Sequence, residues 1–138
     1  MTTYRIHARS VAGSGATIDA AERVLPVDVA WDTDPTGDPG PAELLASAFA
    51  ACLLKGLARA GAMMPFRYES AEVDVSLTRE DLPPRFSAID YELRIVTDED
   101  ERRGDLVHRN LRQFGTVYTT LAASCAVTGT LTLIPSAA

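Results

Sequence analysis

Hydrophobic and polar positions change their period several times along the chain, and each change predicts an element. Tyr4-Arg5-Ile6-His7-Ala8 alternates, Gly13-Ser14-Gly15 interrupts, and Ala16 to Ala20 and Val24 to Trp31 resume, which predicts an N-terminal meander of short strands. From Asp32 to Gly40 three acids, two prolines and two glycines fall within nine residues, the composition of a solvent loop. An almost wholly apolar stretch of 13 residues follows, Ala42 to Leu54, rich in Ala and Leu and preceded by Pro41, a residue suited to a first helical position. It predicts a helix that ends near Gly61, with Pro65 stopping it for good. Apolar side chains lie on every side of that helix, so protein is expected all round it. The run falls short of the roughly 20 apolar residues a bilayer span requires, so no membrane crossing is expected.

Beyond Pro65 the period becomes two. Ala71, Val73, Val75 and Leu77 share one face of Tyr68–Leu77, and Ile89, Tyr91, Leu93 and Ile95 one face of Ile89–Val96, which predicts two half-buried antiparallel strands joined by a wide loop through Glu80 to Arg85. Asp98-Glu99-Asp100-Glu101 places acids where a helix begins. Leu106, Val107, Asn110, Leu111 and Phe114 then recur at helical spacing, Gly115 either closes that helix or begins a new turn, and Val117 to Ala123 is compatible with a further short helical piece. Val127 to Ile134 reads as a last strand before Pro135.

A chain of 138 residues with 46% hydrophobic and 23% charged side chains has the size of one domain, spanning residues 1–138, and enough apolar material for a real core. Its net charge of −6 argues against nucleic acid, which calls for a clustered basic face. Met1-Thr2-Thr3-Tyr4-Arg5 does not open an apolar signal segment, so a cytoplasmic location is expected. In a reducing compartment the two cysteines, Cys52 and Cys125, are expected as free thiols or a working redox pair rather than a structural staple. The two histidines, His7 and His108, have no metal-ligand spacing around them and are assigned surface or packing roles; neither a metal nor a cofactor is expected.

Cys52 is the best chemical handle. A cysteine within an Ala/Leu helix is either an inert small hydrophobe or a thiolate activated by a nearby cation, and Lys55 and Arg59 follow on the same helical side. Cys125 meets Cys52 only if the fold brings them together.

The segment Gly40-Pro41-Ala42-Glu43-Leu44-Leu45, followed after five residues by Ala51-Cys52, resembles the cysteine-helix signature of the OsmC/Ohr family of stress-induced hydroperoxide reductases. The run Gly115-Thr116-Val117-Tyr118-Thr119-Thr120-Leu121 resembles the family's second element, which begins with a cysteine. The resemblance implies an α+β fold of curved antiparallel sheets packed around a long central helix, intertwined with a second copy in a homodimer. It also implies a chemistry. A thiolate on the helix attacks an organic hydroperoxide, becomes a sulfenic acid, condenses with a second cysteine, and is restored by a dithiol.

Carried over residue by residue, the resemblance makes Cys52 the attacking thiol. The second cysteine belongs at Gly115, 63 residues on, which leaves Cys125 as the only other thiol to resolve the sulfenate. The glutamate position falls on Ala42, with Glu43 as its neighbour, and Arg9 is the displaced candidate for the arginine of the first hairpin. Two functions follow: a thiol peroxidase using Cys52, Cys125, Glu43 and Arg9, or a non-catalytic relative that binds a small apolar molecule at the dimer interface.

Overall fold

The computed structural model describes residues 1–137, which pack as two compact units, one ending at Leu45 and the other beginning at Ala46. The first holds an antiparallel meander, β1 (His7–Val11), β2 (Gly15–Ala20) and β3 (Arg23–Val27), in that order. The meander was legible, but its first strand starts at His7 rather than Tyr4 and its third ends at Val27 rather than Trp31. The chain leaves β3 at Asp28, whose carboxylate accepts the backbone N–H groups of Ala30 at 2.8 Å and Thr36 at 3.2 Å and so folds the following segment into a loop instead of more strand. Pro26 is tolerated because β3 is an edge strand.

Helix α1 (Pro41–Met63) begins in this unit and continues into the next. It runs 23 residues, ending two later than expected, so that by length and composition alone, unlike the 13-residue run, it is long and apolar enough to cross a bilayer, as core helices of this length also can be. Its buried residues are Phe49, Leu53, Gly56, Leu57 and Ala60, a single stripe at helical spacing that forms part of a protein core. Ala48, Ala51 and Leu54 are exposed, so the all-round enclosure read from the sequence is not provided within this chain.

In the second unit β4 (Ser70–Asp81) and β5 (Pro84–Val96) pair antiparallel, and β6 (Ala126–Ile134) joins β5 in parallel. This sheet is therefore mixed where antiparallel pairing alone was expected. The reason is the connection: α2 (Glu101–Phe114) and α3 (Thr116–Ala122) intervene, a crossover long enough to return the chain in the same direction. The wide loop expected between β4 and β5 shrinks to Leu82 and Pro83, since cross-strand pairing continues to Asp81 opposite Pro84. Ile89, Tyr91, Leu93 and Ile95 are buried as their alternation predicted, and they meet Phe49, Leu53 and Leu57 of α1 and Val107 and Leu111 of α2 in one core. Asp100 caps α2 by accepting the Arg103 N–H at 2.9 Å.

Candidate functional site

Cys52 lies on α1 between buried Phe49 and Leu53, at the margin of the stripe that faces the core. Its side chain is half-buried and its thiol free. What faces the sulfur is backbone. A Cβ placed on Gly115 would stand 3.3 Å from Cys52 Sγ, 3.1 Å from Tyr118 Cβ and 2.8 Å from the Leu111 carbonyl oxygen. Gly115 forms the elbow between α2 and α3: its N–H donates to Leu111 O at 3.1 Å and its carbonyl accepts from the Thr119 N–H at 2.8 Å. The position is thus closed as well as bare, because a side chain there would force the last turn of α2 away.

Cys125 is engaged elsewhere. Its S–H donates to the carbonyl of Phe86 on β5 at 3.3 Å, its side chain packs against the core, and it forms no disulfide. Glu43, in the first turn of α1, accepts the Gly40 N–H at 2.8 Å, the return half of a capping box that fixes where the helix starts. Arg9 stands on β1 opposite Thr17, exposed, at the rim of a hollow of about 270 Å³ that Val11, Pro26 and Val27 also line. Arg9 and Glu43 both belong to the N-terminal unit.

Two further groups lie on the elements that carry Cys52 and Gly115: Arg59, one of the two cations read on the side of α1 that bears Cys52, and an aromatic cluster that the sequence did not single out. Arg59, two helical turns past Cys52, donates through Nη1 to the Phe114 carbonyl at 3.2 Å and through Nη2 to Asn110 Oδ1 at 3.1 Å, and its guanidinium sits 5.9 Å from the Phe114 ring centroid. It clamps the C-terminal end of α2 to α1 and so fixes the elbow at Gly115; its Nε is buried without a partner among the described residues. Beside the elbow, Tyr118 stacks on Phe49 at 5.5 Å, and the Tyr91 hydroxyl shares a 2.6 Å hydrogen bond with His108 Nε2. Desolvation, and then the charge of Arg112, push His108 down to about 4, so its ring is neutral at pH 7. Desolvation and then the neighbouring Tyr91 push Tyr118 up to about 12, which keeps its hydroxyl protonated. His108 is therefore a packed partner of Tyr91, as its assignment to packing allowed. Gly129 makes the cluster possible, since a Cβ there would lie 2.2 Å from the Tyr91 ring.

The family model described as OsmC-like protein matches residues 33–130, a span that holds α1 with Cys52, the elbow at Gly115 and most of the second sheet. The chain belongs to the OsmC-like protein family. Among solved structures, this OsmC-like chain is similar to an OsmC-like protein from Mycoplasma pneumoniae at 17% identity and a TM-score of 0.85, covering 96% of this chain and 98% of that one. It is also similar to the organic hydroperoxide resistance protein OhrB of Bacillus subtilis at 20% identity and a TM-score of 0.65, over 96% and 98% of the two chains. An organic hydroperoxide resistance protein OsmC from Legionella pneumophila aligns at 12% identity and a TM-score of 0.75, over 96% and 99%. These likenesses establish the α+β OsmC fold. No match is found among curated proteins.

Of the residues read from the sequence, the OsmC-like fold brings the Gly115 position to Cys52 and directs the Cys125 thiol to a backbone carbonyl. Among the described residues no group of three His, Cys, Asp or Glu side chains is arranged to hold a metal ion. The Tyr91–His108 contact left no local trace, because its two members lie 17 residues apart on a strand and a helix. A glycine in the alternating pattern of β6 was the only signal that something large approaches there.

Proposed function

We propose that the protein reduces organic hydroperoxides, with Cys52 as the attacking thiol. The observation that carries the reading is a free, half-buried cysteine at the signature position of the core helix, facing the same elbow where the family's second thiol belongs. The fold shared with proteins named for organic hydroperoxide resistance supports it. In the reaction the Cys52 thiolate attacks one peroxide oxygen, the O–O bond breaks, the alkoxide leaves and takes a proton as the alcohol, and a sulfenic acid remains on Cys52. An external thiol then returns the electrons, a dithiol serving in the assay. The resemblance assigns Arg9 and Glu43 to the thiolate and leaves Cys125 as the one other thiol of the sequence, its S–H taken up by the Phe86 carbonyl.

The reading includes a cytoplasmic homodimer working without cofactor, metal, nucleic acid or membrane. Val11, Val29 and Trp31 are 56%, 56% and 90% exposed and line a hollow of about 580 Å³, the apolar surface that a second copy would cover. With cumene hydroperoxide and dithiothreitol as substrates, peroxide is consumed and Cys52→Ser abolishes the consumption. Unchanged turnover in that variant overturns the assignment of the nucleophile.

Gly115 favours a second reading, a non-catalytic OsmC-fold protein that holds a small apolar molecule at the dimer interface. In that case an aromatic disulfide reagent leaves Cys52 untouched at neutral pH in the folded protein, and no peroxide disappears.

A further inference from the structure

The chain carries a net charge of −6, yet its charge is segregated. Residues 46–63 of α1, residues 106–114 of α2 and the whole of α3 contain Lys55, Arg59, Arg109 and Arg112 and not one carboxylate. These are the segments that bring Cys52 and Gly115 together. Lys55 and Arg59 follow Cys52 by three and seven residues and so project from the side of α1 that bears the sulfur. Arg109 and Arg112 occupy the last turns of α2, which run into the Gly115 elbow. Lys55, Arg109 and Arg112 are exposed, and among the described residues none of the four is ion-paired with a carboxylate. Arg59 donates to neutral groups, the Phe114 carbonyl and the Asn110 amide. Asp105, just outside this stretch of α2, is the first acid met on leaving it.

A sulfenic acid on Cys52 requires a thiol to resolve it, and the site supplies none. Gly115 has no sulfur and no room for a side chain, and the Cys125 S–H points to Phe86 O. We propose that an external, carboxylate-bearing monothiol resolves the sulfenate through a mixed disulfide on Cys52, drawn there by the four cations. The proposal rests on the reading of Cys52 as the oxidised thiol and adds what reduces it. The incoming thiolate attacks the sulfenic sulfur; the S–O bond breaks, the hydroxide leaves and takes one proton from solvent to become water, and an S–S bond forms. A second thiolate attacks the outer sulfur of that disulfide, releasing the Cys52 thiolate and a symmetrical disulfide, so that two monothiols supply the two electrons the hydroperoxide removed. Unpaired surface charges of one sign raise the local concentration of an oppositely charged reactant, and salt removes the effect within a Debye length of about 10 Å at 0.1 M.

The test uses three thiols of similar size and different charge: mercaptoacetate (anionic), 2-mercaptoethanol (neutral) and cysteamine (cationic). Cys52 is oxidised with one equivalent of cumene hydroperoxide, and each thiol's rate is corrected for its own thiolate fraction. At low ionic strength mercaptoacetate reacts at least about fivefold faster than cysteamine, and the ratio falls towards one by about 0.5 M salt. The triple variant Lys55→Gln, Arg109→Gln, Arg112→Gln, at three exposed positions, loses most of that ratio, while the salt series on the unaltered protein gives the same answer without any substitution. Mass spectrometry finds mercaptoacetate on Cys52, in Cys125→Ser as well. Equal rates for the three thiols, or an internal Cys52–Cys125 disulfide as the main product, overturn the proposal. Trapping of the sulfenate by dimedone separates the two levels: with no trapped sulfenate the hydroperoxide reading fails and this proposal with it, whereas a trapped sulfenate that closes on Cys125 sinks the proposal alone.

Discussion

At the scale of single residues, glycine and histidine decide more than the cysteines do. Gly115 determines what Cys52 faces, because 2.8 Å to the Leu111 carbonyl leaves no space for a Cβ. His108 carries a pH dependence whose sign follows from its burial. Its pKa in the folded protein, about 4, lies below the ordinary value of 6.5, so on acidification the unfolded chain takes up a proton that the folded protein refuses. Stability therefore falls as pH drops from about 6.5 to about 4 and is unaffected by this group above that window. With allowance for partial solvent screening the loss is on the order of 1 kcal/mol. Thermal melts at pH 7 and pH 4.5 are expected to separate less for His108→Gln than for the unaltered protein; an equal separation in both would show that the ring does not titrate as its surroundings dictate. The residue pattern could not announce this, since desolvation comes from Tyr91 and the sheet behind it, seventeen residues away in the chain.

At the scale of elements, β5 and α1 form the centre of the second unit, and both were readable. Alternation on β5 identified Ile89, Tyr91, Leu93 and Ile95 as the inner face because a strand turns successive side chains to opposite sides. The Pro41 start of α1 was readable because Pro lacks the N–H that a first helical turn leaves unused. What escaped was which neighbour each element takes. The parallel partnership of β5 with β6 depends on the crossover through α2 and α3, and strand periodicity is the same for either direction. That partnership places Gly129 under the Tyr91 ring, at 2.2 Å for a would-be Cβ, so Gly129→Ala must displace a ring that is 4% exposed and packed among Phe49, Tyr118 and His108. A destabilisation of about 2–3 kcal/mol is expected from such overpacking. Urea unfolding gives the number, and a change below about 0.5 kcal/mol, the range of an ordinary surface substitution, would mean that the ring moves freely.

At the scale of the whole molecule, apolar surface outruns what one chain covers. Tyr4, Ile6, Val24 and Trp31 of the N-terminal unit are 88%, 63%, 64% and 90% exposed, more than isolated surface hydrophobics would account for. The proposed homodimer accounts for this surface, and sedimentation equilibrium at micromolar concentration is expected to give twice the 14.8 kDa chain mass. A monomer mass there would remove the assembly from the functional reading. The sequence by itself determined the order of the strands and helices, the apolar faces and the helix that bears Cys52, because period, proline placement and capping act between residues close in the chain. Only the tertiary structure decided that Gly115 faces the sulfur, that the Cys125 S–H is taken by Phe86 O, that β6 lies parallel to β5, and that Arg59 ties α1 to α2. These are contacts between distant segments, fixed by which surfaces bury one another, and no local pattern encodes the ångström separations on which a thiol's chemistry turns.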